Sequence, residues 1–588
     1  MNGEIKHLTV KVFMVILDFL SKGIMRRKEI IFRIWLSALI LFLTLYSTAG
    51  CQDLDSGKKA YQKGDYDRAI GLLKAYLEKK PSDAEGYYYL GNCYFEKGEW
   101  DEAITQYQNT IDRKSKYVEA IYGLGLAYLN KGSYDQAMQT FNQGLERKKN
   151  YADFLNGKGL VQMAQGKLVE ADLSFRSAIS ADPKNPEYHK NLGDVNLKKE
   201  VPTIAIDEYK KALSLDSTMA DVYYSLGKAY LLQMEFNAAA DAFKKTVLLE
   251  PKLKSVYVDL GNIYFLAKKY PEAGWAYNEY VKLDPDNSEV FLGLGKSYYY
   301  MYQFDSAIVD LNKAIELDTN LTEAYYYLGK SYSEKGMYSE TAEAYHKYER
   351  RYTSKDDFEW EWTIKDRDFL VDYGKAHYYI GDSLNLEQAV KYLSLAAQID
   401  SNYSESYSYL GLAYYQLKKF SEAIPALKRK IELDSTSFNS YLNLAYCYVN
   451  LKQFKEALEP LKKVVELKPD YLQAHQYLAY IYLNELKSYA EAKEEYEKII
   501  QLDPQDCQAK GNLGYVLLTL NRASEAVRPL LEALKCKPND VSFNLWLAQA
   551  YDITNQWEKA KEAYRKVLRL DPENKLAKDR LAFIDYNY

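Results

Sequence analysis

Apolar and small residues recur at helical spacing through most of the chain, in two segments for every thirty-four residues. In residues 220–253 the repeating positions are Tyr223, Leu226, Gly227, Tyr230, Ala239 and Phe243. Each set lies on one face of a helix, which predicts two helices packed as a hairpin. Gly227 and Ala239 allow these helices to approach closely, and Pro251 ends the unit because proline cannot continue a helix.

The same small residues return at steps of thirty-four in both directions. The glycine position gives Gly57, Gly91, Gly125, Gly159, Gly193, Gly261, Gly295 and Gly329; the alanine position gives Ala69, Ala103, Ala137, Ala171, Ala205, Ala273 and Ala307, with Thr341 as a departure. After an interruption the register resumes with Gly374/Ala389, Gly411/Ala423, Ala445/Ala457, Ala479/Ala492, Gly514/Ala526 and Ala548/Ala560. We count about fifteen units of this length.

The order aromatic-x2-Leu-Gly-x2-Tyr, then Ala-x3-Phe, then Pro resembles the tetratricopeptide repeat family, over nearly everything after residue 53. The resemblance implies an all-α fold: a right-handed superhelical solenoid of about fifteen helix-turn-helix units. Residues 575–588 are expected to form a capping helix for the last repeat. Its predicted apolar side carries Leu576, Leu581 and Ile584.

The period divides the chain into segments. Residues 51–352 carry about nine repeats and residues 369–574 about six. Between them, residues 353–368 are acidic and aromatic, with Trp360 and Trp362 two positions apart. Two interpretations stay open for this insertion: it covers an exposed helix end, or it serves as a docking ledge or hinge.

Residues 1–50 lie outside the repeats and have the layout of a targeting segment. A basic start at Met25 leads into an apolar run and then small residues before Cys51, as in a secretory signal. Thr48-Ala49-Gly50-Cys51 resembles the lipobox of bacterial lipoproteins, although Thr48 replaces the usual leucine. This resemblance implies lipidation of Cys51. An uncleaved transmembrane anchor is the alternative, and Met25 is a candidate for the true start.

If Cys51 is lipidated, the chain is an exported lipoprotein held at the membrane without spanning it. By resemblance to enterobacterial sorting, Gln52 favours the outer membrane over the inner one, facing the periplasm.

Composition adds little chemistry to this picture. Many of the 59 tyrosines fall on packing positions of the repeat, and a net charge of −5 argues against general nucleic-acid binding. The five histidines are scattered without partners at metal-ligand spacing, and no phosphate-binding loop or nucleophile motif is present. We therefore expect no enzyme activity, cofactor or metal.

The five cysteines fall into different classes. Cys51 belongs to the targeting segment, and Cys93 and Cys447 occupy a small-residue position of the repeat, which predicts buried fillers. Cys507 begins the first helix of its repeat and Cys536 ends the second, so these ends lie side by side in an antiparallel hairpin. They form a disulfide or remain two free thiols.

In this family the first helices line a concave groove, and the positions that face it are the second, fifth, ninth and twelfth of each repeat. Their identities here give a candidate binding surface: Tyr88, Tyr122, Lys190, Tyr224, Lys228, Asn262, Lys296, Tyr326 and Lys330. Lys228, Asn262, Lys296 and Lys330 follow one another at thirty-four-residue steps and suggest binding of an extended or acidic protein segment. The alternative is solvated lysines without a ligand.

The functional prediction is a lipid-anchored protein–protein interaction scaffold of the bacterial envelope, of the kind that serves secretion, pilus or export machinery. Two other hypotheses stay open: an envelope adaptor that binds glycan or peptidoglycan through tyrosine and tryptophan rings, and an intracellular adaptor if residues 1–50 are not an export signal.

Overall fold

The computed structural model describes Trp35, residues 53–353 and residues 366–588. Within these ranges all regular structure is helical, in thirty-one α-helices and one short π-helix, without a β-strand. The chain divides into two compact units, one that ends at Ile263 and one that begins at Tyr264. The described residues do not include Trp360, Trp362 or Cys51. Of the predicted signal they include Trp35 alone.

The first unit contains α1 to α12 and most of α13. Their bounds are α1 Leu54–Gln62, α2 Tyr66–Lys79, α3 Ala84–Glu96, α4 Trp100–Arg113, α5 Val118–Asn130, α6 Tyr134–Arg147, α7 Ala152–Ala164, α8 Leu168–Ala181, α9 Pro186–Lys198, α10 Pro202–Leu215, α11 Ala220–Leu232, α12 Phe236–Leu249 and α13 Lys254–Leu266.

The second unit contains the remaining helices. Their bounds are α14 Tyr270–Leu283, α15 Ser288–Tyr300, α16 Phe304–Leu317, α17 Thr322–Glu334, α18 Tyr338–Thr353, α19 Arg367–Ile380, α20 Ser383–Ile399, α21 Ser404–Gln416, α22 Phe420–Leu433, α23 Phe438–Asn450, α24 Phe454–Leu467, α25 Leu472–Tyr480, the π-helix Ile481–Leu486, α26 Tyr489–Leu502, α27 Cys507–Thr519, α28 Ala523–Cys536, α29 Val541–Ile553, α30 Trp557–Leu570 and α31 Lys575–Asn587.

Odd-numbered helices up to α29 are the first helices of the predicted repeats, and even-numbered helices up to α30 are the second. The predicted small positions are the places where a hairpin closes. A Cβ added at Gly227 would lie 2.4 Å from the Phe243 ring, and one at Gly329 would lie 2.4 Å from the Tyr345 ring. Both rings are fully buried, as is Ala239. The predicted all-α repeat fold is therefore confirmed.

The turn inside each hairpin has a feature that the signature does not show. One residue in the turn adopts the left-handed conformation; it is Gly98 (φ 73°) in the second repeat and Gly336 (φ 70°) in the ninth. Several repeats place other residues there, such as Met234 (φ 59°) and Lys268 (φ 57°). The left-handed region disfavours side chains, so packing of the hairpins holds these turns in place.

The irregularities of the repeat have defined structural solutions. The added residue near Ser488 is taken up by the π-helix Ile481–Leu486, a common way to insert one residue into a helix. The three extra residues before Ala389 lengthen α20 to 17 residues. At the predicted insertion, α18 extends to Thr353 and α19 begins at Arg367, so residues 367 and 368 belong to the next helix.

The last helix, α31, packs on the final repeat. Ala577 and Ile584 are fully buried and Leu581 is partly buried, whereas Leu576 is exposed. The prediction that Leu576 faces the core is thus wrong: Ala577, one position further on, takes that place because a small residue fits against the preceding hairpin. Arg580 adds two hydrogen bonds of 2.7 Å to the buried carboxylate of Asp552 in α29.

Candidate protein-binding face

Successive first helices place their ninth and second positions next to each other, and we call the surface they form within each unit the first-helix face. Five first helices carry a lysine directly after the repeat glycine, and we call these the post-glycine lysines: Lys58, Lys228, Lys296, Lys330 and Lys375. Four of them form an ion pair with an acidic residue of the next first helix. The lysines therefore link neighbouring repeats.

In the first unit, Lys228 of α11 donates a hydrogen bond of 2.7 Å to Asp259 of α13. Its ammonium also lies 5.4 Å from the centre of the Tyr224 ring. Burial alone would lower the pKa of Lys228, but the hydrogen bond and charge of Asp259 outweigh it and raise the pKa above its ordinary value. The structure thus brings Tyr224 and Lys228 together, with the lysine already paired. Asn262 is exposed.

Lys190 of α9 forms an ion pair with Asp221 of α11 and lies 3.8 Å from Glu187. Asp194, one turn further along α9, accepts a hydrogen bond of 2.7 Å from the Tyr209 hydroxyl, and burial raises the pKa of its carboxyl. The Asp194 side chain is therefore occupied by a contact within its own repeat, and the Lys190 side chain by a contact with the next repeat. The Asp194 carboxylate therefore has a structural role in its hairpin.

The two tyrosines nearest the start of the first unit pack among other rings. Tyr88 is stacked on Tyr117 with 5.0 Å between ring centres, and it also contacts Tyr89. Tyr122 lies between Phe141 and Phe154, at 5.9 and 6.5 Å between ring centres. Both are only partly accessible, so part of each ring stabilises the repeat and part contributes to the first-helix face.

In the second unit, Lys296 of α15 forms an ion pair of 2.6 Å with Glu323 of α17. Its ammonium lies 5.1 Å from the centre of the Phe265 ring and 5.3 Å from that of Tyr327. Lys375 of α19 repeats the arrangement with Glu405 of α21, at 2.8 Å. These cations are held by a carboxylate and by aromatic rings at the same time.

Lys330 of α17 differs from the other post-glycine lysines. Its ammonium lies 5.3 Å from the centre of the Tyr326 ring and 6.0 Å from that of Tyr299, but it has no ion pair among the residues that the structure describes. Tyr326 donates a hydrogen bond of 2.7 Å from its hydroxyl to Asp366, and burial raises its pKa. The structure therefore brings Tyr326 and Lys330 together, and the Lys330 ammonium has no carboxylate bonded to it in the described structure.

The acidic partners of the lysines were not anticipated from the sequence. A signal was available: an acidic residue follows each paired post-glycine lysine after 27 to 31 positions. The hypothesis of a basic ladder through Lys228, Lys296 and Lys330 assumed three available positive charges. Ion pairs neutralise two of them, those of Lys228 and Lys296. Each unit presents instead a face of tyrosine rings and ion pairs.

The structure joins Cys507 and Cys536 by a disulfide, with 6.3 Å between their Cα atoms. It connects the first residue of α27 to the last residue of α28, within the usual span of such a bond. Cys93 and Cys447 are free and fully buried, as expected for small fillers. No cluster of His, Cys, Asp and Glu that could hold a metal ion occurs among the described residues.

Comparison with known families identifies the repeat. Segments of the chain match the family described as "Tetratricopeptide repeat" at residues 54–118, 94–153, 122–186, 224–288, 442–507 and 478–541, which together span just over half of the sequence. The chain belongs to the tetratricopeptide repeat family. Related repeat descriptions match residues 204–233, 303–336, 323–354 and 542–574. Residues 382–464 also match "Anaphase-promoting complex, cyclosome, subunit 3".

Solved structures of several other proteins resemble parts of the chain. MamA is 28% identical with a TM-score of 0.27, over 27% of this chain and 94% of that chain. The Cut9 component of the APC/C hetero-tetramer Cut9-Hcn1 is 15% identical with a TM-score of 0.31, over 79% and 95%. Pseudomonas aeruginosa pilF is 20% identical with a TM-score of 0.33, over 36% and 97%. No curated protein matches this chain.

None of the helices that the structure describes combines the length and apolar character needed to cross a bilayer.

Proposed function

We propose that this tetratricopeptide repeat protein is a protein–protein interaction scaffold of the bacterial cell envelope, held at the membrane by lipid on Cys51. It binds segments of other proteins on the first-helix faces of its two units. The observation that carries the binding role is the repetition of one surface, tyrosine rings beside lysine side chains, at Tyr224 with Lys228 and at Tyr326 with Lys330. Repeated weak contacts along such a surface sum to useful affinity.

The state of the rings favours a protein ligand over a glycan. Sugar rings stack on free aromatic faces, but the lysine ammonium groups lie 5.4 Å from the Tyr224 ring and 5.3 Å from the Tyr326 ring. A sugar would have to displace these cations. A peptide can form hydrogen bonds and ion pairs with the same surface while the lysines stay in contact with the tyrosine rings. Glycan or peptidoglycan binding is therefore the weaker proposal.

The anchor and the location rest on the sequence. Residues 25–51 carry the three-part layout of a secretory signal that ends at Cys51. With lipid on Cys51 the protein is placed at the periplasmic face of a membrane, the outer one in preference to the inner. Secretion, pilus assembly and polysaccharide export are the kinds of process that such a scaffold would serve.

The test of this proposal compares the wild-type protein with Cys51→Ser in native membranes. After crosslinking and purification, we expect the wild type in the membrane fraction with a reproducible set of envelope proteins, and Cys51→Ser outside that fraction. If both forms are cytosolic, the export signal is wrong and the function becomes that of an intracellular adaptor. If the wild type is in the membrane but carries glycan and no protein, the scaffold is contradicted.

Substituting Lys228, Lys296 and Lys330 together would give a poor test of binding. Lys228 and Lys296 form ion pairs between repeats, so their loss changes stability as well as surface charge. Lys330 has no such pair among the described residues, and its substitution reports on the surface alone.

A further inference from the structure

Lys330 and Asp372 occupy the positions that form an ion pair elsewhere in the array, yet the pair is not made. Lys330 is the ninth residue of its repeat, like Lys228, and Asp372 is the sixth of the next, like Asp259. Lys228 and Asp259 form a hydrogen bond of 2.7 Å. Lys330 and Asp372 form no ion pair, and neither side chain has a hydrogen bond among the described residues. We call these two residues the open pair and Lys228 with Asp259 the closed pair.

The reason lies in the start of α19. In most cases the lysine forms its ion pair with the residue at the second position of the next repeat. Lys296 pairs in this way with Glu323, and Lys375 with Glu405. In α19 that position is Asp368, which accepts hydrogen bonds of 2.9 and 2.7 Å from Arg367. Arg367 also bonds to Asp400 at 2.8 Å. The usual partner of Lys330 is therefore occupied.

The surroundings of Asp372 show that its charge is incompletely compensated. Burial, the largest cause, raises the pKa of its carboxyl to about 6, although Lys330 and Lys375 act in the opposite direction. Glu334 of α17 and Glu405 of α21 raise it further, and Lys375 is itself paired with Glu405. From α15 and α18 it is faced by Tyr299 and by Tyr345, whose hydroxyl is buried without a hydrogen-bond partner in the described structure.

We propose that the open pair is a recognition site for a mixed-charge segment of a partner protein, in which an acidic side chain binds Lys330 and a basic side chain binds Asp372. The proposal rests on the function proposed above and names the ligand chemistry at one place on the second unit. The rings of Tyr299 and Tyr326 pack against the aliphatic parts of the bound side chains. A ligand with both charges supplies an ion-pair partner to each of the two side chains that the fold leaves unpaired.

A uniformly acidic segment fits the site less well, because it would bring a third carboxylate towards Asp372 and Glu334. A uniformly basic segment has the same difficulty with Lys330 and Lys375. This charge arrangement separates the proposal from the acidic ligand predicted from sequence, which considered the lysines alone.

The test measures binding of short, end-blocked, fluorescent peptides to the full-length protein by anisotropy at low salt. In the first peptide, glutamate and lysine are separated by one residue, so that both side chains project from the same face of an extended chain. Matched peptides replace the lysine, the glutamate or both by glutamine. We expect the mixed-charge peptide to bind most tightly, and Lys330→Met and Asp372→Asn each to weaken it about three- to tenfold.

The closed pair supplies the matched controls. Lys228→Met and Asp259→Asn remove the same chemical groups where they are already paired. Any change in affinity that these two variants cause should therefore be the same for all the peptides, and the protein should still bind the mixed-charge peptide in preference to the matched peptides. Circular dichroism of each variant verifies that it is folded. The pH gives a second readout: wild-type affinity should fall as the pH drops below about 6, where Asp372 becomes protonated, and Asp372→Asn should lack this dependence.

Equal affinity for all peptides, or the same loss of preference for the mixed-charge peptide in the open-pair and closed-pair variants, would overturn the site. Either result would leave the scaffold function standing if envelope proteins still co-purify with the wild type. Absence of protein partners in native membranes would instead contradict the scaffold function.

Discussion

Lys228 and Lys330 follow the glycine of two repeats that share the same hairpin packing, and their side chains have different roles. Lys228 is bonded to Asp259 and connects α11 to α13. Lys330 faces Tyr299 and Tyr326, and Asp372 near it has an elevated pKa. The comparison shows that residue type alone does not predict whether a lysine of the repeat is already paired. What matters is whether the next repeat already supplies the partner.

The hairpins at the two sites should respond alike to overpacking, and this is the largest effect we expect. Gly227→Ala and Gly329→Ala each place a Cβ 2.4 Å from a buried ring, of Phe243 or of Tyr345. Each should lower the free energy of unfolding by about 1–3 kcal/mol. Local stability can be measured by hydrogen exchange of peptides from each hairpin.

Gly71→Ala is the control, because nothing lies within 4 Å of its added Cβ in helix α2. It should stabilise that helix by about 0.5–1 kcal/mol. If Gly227→Ala leaves the free energy of unfolding unchanged, the register that we assign to the repeat is wrong.

The closed and open pairs should differ in stability when the lysine is removed. Asp259 is mostly buried, with 14% of its side chain exposed, and one of its oxygens has no hydrogen-bond partner in the described structure. Lys228→Met removes the counter-charge and should lower the free energy of unfolding by about 2 kcal/mol. Lys330→Met should change it by about 0.5 kcal/mol or less. Urea unfolding with matched hydrogen exchange measures both; equal losses would show that Lys330 is paired as well.

The fold could be predicted because its signature is local. Gly227, Ala239 and Phe243 specify one hairpin, and thirty-four-residue steps carry it along the chain. The pairing of the lysines could not be predicted in the same way. The pairing depends on side-chain positions in three dimensions. These positions decide whether Lys228 bonds to the second or the sixth residue of the next first helix, and whether Asp368 is already bonded to Arg367. The π-helix and the exposed Leu576 depend in the same way on how neighbouring repeats pack.

Replacing Asp372 by asparagine should stabilise the protein at neutral pH. The pKa of Asp372 is about 6 in the folded protein, against about 3.9 in an unfolded chain. The folded state therefore binds more protons between these values, so its stability falls as the pH rises from about 4 to 6. Asp372→Asn should remove this fall and raise the free energy of unfolding at pH 7 by about 1–2 kcal/mol.

Asp259→Asn is the matched variant and should destabilise the protein, since it breaks the bond with Lys228. Chemical denaturation of both variants across this pH range measures the difference. A wild-type stability that rises from pH 4 to 6 at this hairpin would contradict the elevated pKa.

The smallest effect concerns the ring packed against each repeat glycine. Phe243 and Tyr345 occupy the same position, but the Tyr345 hydroxyl is buried without a hydrogen-bond partner among the described residues. Tyr345→Phe should therefore raise the free energy of unfolding by about 1 kcal/mol, whereas Phe243→Tyr should lower it by at least as much. Thermal unfolding monitors the pair. A loss of stability in Tyr345→Phe would show that the hydroxyl is bonded.

The central claim, that the first-helix faces bind partner proteins, is tested most directly by site-specific photocrosslinking in native membranes. The crosslinking residue replaces Tyr224 or Tyr326 on the first helices, and Leu248 or Val309, which are exposed on the second helices at 74% and 67%, as controls. We predict specific protein adducts from Tyr224 and Tyr326 and none from Leu248 and Val309. Adducts from the second-helix positions alone would contradict the account.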